Sequence, residues 1–247
     1  MFWLGLSSVE FVRYDRQLGI ISEDGQLKLK NSTVLIVGLG GLGSVASIFL
    51  AAAGVGRMLL VDKDVVELSN LNRQILYNTN DIGKAKADLA KEKLNKLNPY
   101  INIESFRLRV EDEDFKDLVK KSDIVLDCLD NWRSRFVLNK LCVEHRKPLI
   151  HAGVREFYGQ LFTIIPGETP CLNCLLPKQP PEEKIQVIGV TPGILGTLQA
   201  TEAIKYLIGR GTSLKNLLLL VDLSTMEFKK LKIQRNPTCP TCGTIKK

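Results

Sequence analysis

The chain has 247 residues, of which 34 are Lys or Arg and 27 are Asp or Glu, giving a formal charge of +7 and a hydrophobic share of 45%. That balance excludes disordered, collagen-like and coiled-coil chains, and with no Pro-, Ser- or Gly-rich linker it predicts one compact unit over 1–247. The longest apolar runs, Ile48 to Ala53 and Leu217 to Val221, fall far short of the roughly 20 residues that cross a bilayer. Met1 to Leu6 lacks the basic start and long apolar middle of a secretion signal, so the expected location is cytoplasmic. The lysines are scattered, with only Lys246, Lys247 and the stretch Phe228 to Lys232 locally basic. A solvated surface is expected rather than a nucleic-acid interface.

In chain order, Val34 to Val37 is a β-branched run that leads at once into Gly38-Leu-Gly40-Gly-Leu-Gly43 and a helix over Ser44 to Ala53. Arg57 to Val61 is a second strand ending at Asp62, nineteen residues beyond Gly43. A helix is predicted over Lys84 to Asn98, stopped by Pro99, then a strand over Ile101 to Phe106 and a helix over Asp114 to Lys121. Ile124 to Leu126 is a strand, Asn131 to Arg146 a helix and Leu149 to His151 a strand. This alternation implies a Rossmann-like α/β fold, a doubly wound and mainly parallel sheet. After residue 155 the pattern changes: Phe157 to Ile165, Leu217 to Asp222 and Glu227 to Ile233 read as antiparallel strands around a helix over Leu195 to Ile208. Residues 1–155 are thus expected to form a nucleotide-binding half and 156–247 an antiparallel half.

The glycine run lets backbone amides approach a phosphate at a helix N-terminus, with Gly38, Gly40, Gly41 and Gly43 shaping the loop. Asp62 is placed to accept from a ribose hydroxyl. The segment from Asp62 through Asp64, Glu67, Asn70 and Arg73 to Gln74 is denser in polar groups than hydride transfer needs. Arg73 can pair with phosphate oxygens, Asn70 can donate to them, and a carboxylate can hold magnesium; a polar loop with Ser69 and Asn70 as turn residues is the alternative. On a helical wheel Lys86 falls inside the apolar stripe of Ile82, Ala85, Leu89, Ala90, Leu94 and Leu97, while Lys84 and Lys91 point away. A cation in the first turn opposes the helix dipole, a conflict that a bound phosphate relieves; Lys93, also near the stripe, is free to snorkel. Asp130 follows a strand expected beside the glycine loop, where it either ligates magnesium or caps the next helix.

Four of the six cysteines form two pairs, Cys171-x-x-Cys174 and Cys239-x-x-Cys242. Two such knuckles predict a tetrahedral structural zinc site, with Pro170, Pro237 and Pro240 keeping them out of helices. Cys128 and Cys142 are expected to pack as small apolar groups.

Taken together these residues resemble the MoeB/ThiF family of adenylyltransferases, relatives of the ubiquitin-activating enzymes. The likeness runs from Arg13-Tyr-Asp-Arg16-Gln through the glycine loop, Asp62 to Gln74, Lys84-Ala-Lys86, Asp127 to Asn131, Gly159-Gln160 and both cysteine pairs to Gly196 through Lys205. The resemblance implies use of ATP and magnesium to adenylate the C-terminal glycine carboxylate of a small ubiquitin-like sulfur carrier ending in two glycines, with release of pyrophosphate by a homodimer. It implies that Arg73 and Lys86 grip the phosphates beside Asn70, that Asp130 holds magnesium, and that Arg16 reaches the partner subunit's phosphates. Adenylation needs positioned cations and no protein nucleophile. One departure stands out: the crossover segment Pro180 to Gly189 lacks the cysteine usual in the family, so covalent handover there is not expected. Residues 175 to 192 are expected to clamp an extended tail, and Lys229, Lys230 and Lys232 to meet the carrier's body. Rival readings are activation of a small or tRNA-linked carboxylate, a nicotinamide-dependent oxidoreductase and a zinc-ribbon binding module.

Overall fold

The computed structural model describes residues 5–183, 185–210 and 214–245; the basic tail at Lys246 and Lys247 lies outside them. Five strands pair in parallel: β1 (Thr33–Val37), β2 (Arg57–Val61), β3 (Asn102–Phe106), β4 (Ile124–Asp127) and β5 (Leu149–Arg155). Three more, β6 (Tyr158–Ile164), β7 (Leu217–Asp222) and β8 (Glu227–Lys232), continue the same sheet antiparallel, in the order β3-β2-β1-β4-β5-β6-β7-β8.

The inner strands are apolar on both faces because both faces are covered. Val34, Ile36, Met58, Leu60, Leu126 and Ile150 pack with α1 (Ser8–Lys30), α2 (Gly41–Ala53), α3 (Lys86–Leu97) and α7 (Val190–Ile208). The alternate residues, Leu35, Val37, Leu59, Val125 and Leu149, pack with α4 (Phe115–Lys121), α5 (Trp132–Glu144) and the single turn α6 (Leu172–Leu175). Edge strand β8 is exposed along its whole length. Because α2 follows β1 onto one face and α5 follows β4 onto the other, the chain parts at the carboxyl edge between these neighbours and opens a crevice there. Among the described residues no helix is long and apolar enough to cross a membrane.

Several boundaries differ from the sequence expectation. Helix α1 has none there, although Ser7 and Glu10 form a reciprocal capping box at its start; a kink at Ser22, with φ 63°, interrupts it. Helix α3 begins at Lys86 rather than Lys84, since Ala85 bridges to Val65, and the stripe's ends, Ile82 and Leu97, stay exposed. Helix α7 starts at Val190, five residues early, because Pro192 sits in a first turn that needs no partner for its nitrogen. Strand β5 runs on to Arg155, where it forms a hairpin with β6.

Candidate active site

The chain leaves β1 through Gly38, at φ 91°, where a Cβ would lie 2.6 Å from the Cys128 carbonyl oxygen. Gly43, in the first turn of α2, approaches more closely still: a Cβ there would lie 1.9 Å from the Gly38 carbonyl oxygen. These contacts pull the start of α2 against the end of β1. Gly40 caps the helix without a side chain, so its first amides face the crevice as an anion site.

Asp62 Oδ2 accepts from the Leu39 amide at 2.7 Å and Oδ1 from the Asp64 amide at 2.8 Å, which fixes the carboxylate beside the loop. Burial raises its pKa above the usual carboxylate range, against the lowering by these two bonds and by Lys86. Lys86 is buried, 5% exposed, with Nζ 3.8 Å from Asp64 Oδ2. Arg73 Nη1 donates to the Ser69 carbonyl at 2.9 Å and to Asn72 Oδ1 at 3.1 Å. Asp130 is exposed, and the following helix is capped instead by Asn131, whose Oδ1 accepts from the Ser134 amide at 2.9 Å. The capping alternative for Asp130 is therefore taken by its neighbour, leaving a hard oxygen donor at the crevice.

One cavity of about 780 Å³ brings Gly38, Gly40 and Gly41 together with Asp62 and Asp64, and Arg73 and Lys86 with Asp130. Three of the sequence candidates for this site stand outside the lining, the first being Gly43, which packs against Gly38 and Cys128 behind the loop. Asn70 is buried in the turn Leu68–Asn70, its Oδ1 accepting from the Glu67 amide at 3.1 Å. Arg16 is exposed on α1. The cavity continues past β4 over Gly153, Tyr158, Gln160 and Leu220, under Pro180 to Glu183, Ile185 and Val187. That crossover segment is tied down by the Trp132 and Arg133 amides donating to Glu182 at 3.2 and 2.8 Å, and by the Glu156 amide donating to the Gln186 carbonyl at 2.7 Å.

Beneath this floor lies a buried polar group that sequence reasoning missed. His151 Nδ1 is 2.7 Å from Asp127 Oδ2, its Nε2 is 3.3 Å from Gln160 Nε2, and Arg135 Nε is 4.0 Å from Asp127 Oδ1. Burial depresses the His151 pKa more than Asp127 restores it, so the ring is neutral. Burial raises Asp127, but Arg135 and His151 together hold its carboxyl below the usual range. Gln199 of α7 ties the strands underneath, donating to the Asp127 and Ile150 carbonyls at 2.9 and 3.1 Å. Polar residues at the ends of apolar strands, Asp127 and His151, were the available signal.

The four paired cysteines converge away from the cavity, with all Sγ atoms within 4.8 Å of one another. Separations of 4.0 Å (Cys171 to Cys174), 3.7 Å (Cys171 to Cys239) and 3.4 Å (Cys174 to Cys242) match the edge of about 3.8 Å in a tetrahedron of 2.3 Å zinc–sulfur bonds. The cluster could hold zinc. Burial pushes the Cys174 thiol up to about 11, whereas backbone amides of Cys242 and Thr241 overcome burial at Cys239 and lower it. Contrary to the expectation that proline keeps both knuckles out of helices, Cys174 lies within α6 and Cys171 caps it. Cys128 and Cys142 are buried, and burial raises both thiols.

The ThiF family profile matches residues 14–241. The sulfur carrier protein ThiS adenylyltransferase of Escherichia coli is 44% identical over 241 residues, covering 95% of this chain and 96% of its own. The sulfur carrier protein adenylyltransferase of Thermus thermophilus is 40% identical over 247 residues, covering 95% and 91%. Among solved structures, E. coli MccB with ATP superposes with a TM-score of 0.84 at 28% identity, covering 94% of this chain and 74% of that one. With a profile match over most of its length and relatives at 40% and 44% identity across nearly the whole of both chains, the chain belongs to the ThiF family.

Proposed function

We propose that this protein adenylates the C-terminal glycine carboxylate of a small ubiquitin-like sulfur carrier. The observation that carries the reading is the single cavity that runs from the glycine loop, Lys86 and Arg73 past Asp130 to the β5–β7 face beneath residues 180–187. ATP would lie on the first part, with its ribose at Asp62 and its phosphates against the loop amides, Lys86 and Arg73. An extended tail would enter over the second part, between the sheet and the crossover segment, and glycines would let its backbone lie close to both walls. One carboxylate oxygen attacks the α-phosphorus, the bond from that phosphorus to the bridging oxygen breaks, and pyrophosphate leaves as the acyl adenylate forms. Lys86 and Arg73 stabilise the charge that spreads over the phosphate oxygens. Asp130, unbound to the helix end, and the exposed Asp64 supply the hard oxygen donors that magnesium takes. That ion, when bound, neutralises phosphate charge.

The homodimer is part of this reading. Arg16 lies on a face of α1 that also exposes Val9, Val12 (79%) and Ile20 (69%). A second subunit seated on that apolar stripe would carry Arg16 toward the neighbouring cavity. Zinc in the cysteine quartet would be structural, tying the C-terminal segment to α6. Pyrophosphate exchange that requires ATP, magnesium and a protein ending in two glycines is the expected result, together with ATP-dependent capture of that protein. Exchange indifferent to any such protein, or reduction of a nicotinamide coenzyme, overturns the reading.

A further inference from the structure

His151 takes no part in gripping phosphate, yet it is fully buried with both ring nitrogens engaged. The Asp127 carboxylate accepts, so Nδ1 carries the hydrogen and Nε2 is left with a lone pair. Only a donor satisfies that lone pair, and Gln160 presents its Nε2 there at 3.3 Å. The amide of Gln160 is thereby fixed: its NH2 is turned to His151 and its Oε1 away from it. Among the described residues no protein group donates to that oxygen. Gln160 lines the cavity beneath the crossover segment.

Its position is equally constrained. Gln160 stands opposite Gly153 across the β5–β6 hairpin, and its Nε2 and Cγ lie 3.2 and 3.3 Å from where a Cβ of Gly153 would be. The amide therefore folds over β5, one strand from β4. Neighbouring strands are about 4.8 Å apart, and one extended residue spans about 3.5 Å. A tail whose carboxylate sits at the end of β4, beside Asp130, thus brings the peptide bond joining its last two residues to Gln160.

We propose that Gln160 is a specificity residue whose Oε1 accepts the N–H of that last peptide bond, with His151 and Asp127 as positioning residues that hold the amide in the accepting orientation. The proposal rests on the adenylation reading above and adds to it the chemical group that the tail must present, a secondary amide. A site built around an acceptor disfavours a ligand that lacks the donor, because the bound ligand then covers that oxygen without pairing it.

The test uses the full-length protein in ATP–pyrophosphate exchange with recombinant carriers of the ThiS and MoaD kinds ending in Gly-Gly. Each is compared with a semisynthetic copy in which an ester replaces the last amide. Wild-type protein should lose about 10- to 100-fold in kcat/KM on the ester tail, the cost of one acceptor left without its donor. Gln160→Met should raise the KM for the amide tail by a similar factor, leave the KM for ATP unchanged, and use both tails equally. His151→Asn should lose most of the discrimination while keeping the KM for ATP. The ester comparison needs no variant, so a misfolded mutant leaves the test intact. Equal use of both tails by the wild type, or discrimination retained by Gln160→Met, overturns the role of Gln160 and leaves adenylation standing. Absence of exchange with every carrier overturns adenylation, and this assignment with it.

Discussion

Replacing Lys86 with methionine separates what this side chain does for the fold from what it does for the reaction. Methionine keeps much of the buried stem and removes only the charge. Without nucleotide the ammonium adds little: Asp64 is half-exposed and 3.8 Å away, where such pairs are worth about 0–1 kcal/mol, and the ammonium's pull on the Asp62 carboxylate is outweighed by that group's burial. Against that gain, a cation at the first residue of α3 opposes the helix dipole by about 0.3–1 kcal/mol. The terms cancel to within about 1 kcal/mol, which for a chain of this size moves Tm by roughly 2–4 °C in either direction. In the reaction, loss of a charge-assisted contact to the phosphates removes about 2.7–4 kcal/mol of transition-state stabilisation, a fall of about 100- to 1,000-fold in pyrophosphate exchange. Thermal melting with and without ATP, run beside the exchange assay, reads both. A variant that melts some 8 °C lower and still exchanges normally would make Lys86 a structural lysine and refute the reasoning.

Four further outcomes are expected. Gly43→Ala places a methyl 1.9 Å from the Gly38 carbonyl oxygen, so loop and helix must separate by more than about 1 Å at an overpacking cost of about 1–3 kcal/mol; a higher KM for ATP checks it, and unchanged melting and KM would contradict it. Cys174→Ser should abolish stoichiometric zinc and lower Tm while leaving the nucleotide cavity formed, so an unchanged melting point argues against a structural metal. Mixing Arg16→Ala with Lys86→Ala subunits should restore part of the activity that each lacks alone; no recovery places Arg16 outside the neighbouring site. His151, facing Asp127 and Arg135, has its folded pKa lowered below 6.5 by burial. Its stabilisation is therefore complete above pH 6.5 and declines as pH falls toward the folded value, so the advantage of wild type over His151→Gln in chemical denaturation should shrink from pH 7 to pH 5. A widening gap would mean that the buried ring is charged.

The parallel half of the fold was legible because its strands are short apolar runs separated by amphipathic helices and closed by a glycine loop. Helix α1 was not, since its exposed residues include Val12 and Ile20; a helix with apolar groups on its outer face lacks the one-sided stripe that periodicity detects. The start of α7 was hidden by Pro192, which reads as a breaker but is tolerated in a first turn. Lys86 was legible because a buried cation on an apolar stripe is a local conflict visible in one helix. Asn70 shows the reverse: its residue type fits either a phosphate or a turn, and only the bond from the Glu67 amide reveals that its side-chain oxygen serves the turn.

The group formed by Asp127, His151 and Gln160 was beyond reach for a different reason. Its members sit on β4, β5 and β6, and what joins them is the register Asp127 to His151 and Gly153 to Gln160, with His151 and Gln160 then facing the same way. A parallel pair followed by an antiparallel one sets that register, and one residue of slip in either would turn a member to the opposite face. The switch from parallel to antiparallel pairing at β5 therefore does more than lengthen the sheet. It places a buried imidazole between a carboxylate under the glycine-loop end of the cavity and an amide beneath residues 180–187. A chemistry that relies on positioned groups rather than on a protein nucleophile needs both ends held to one frame, and the mixed sheet supplies it.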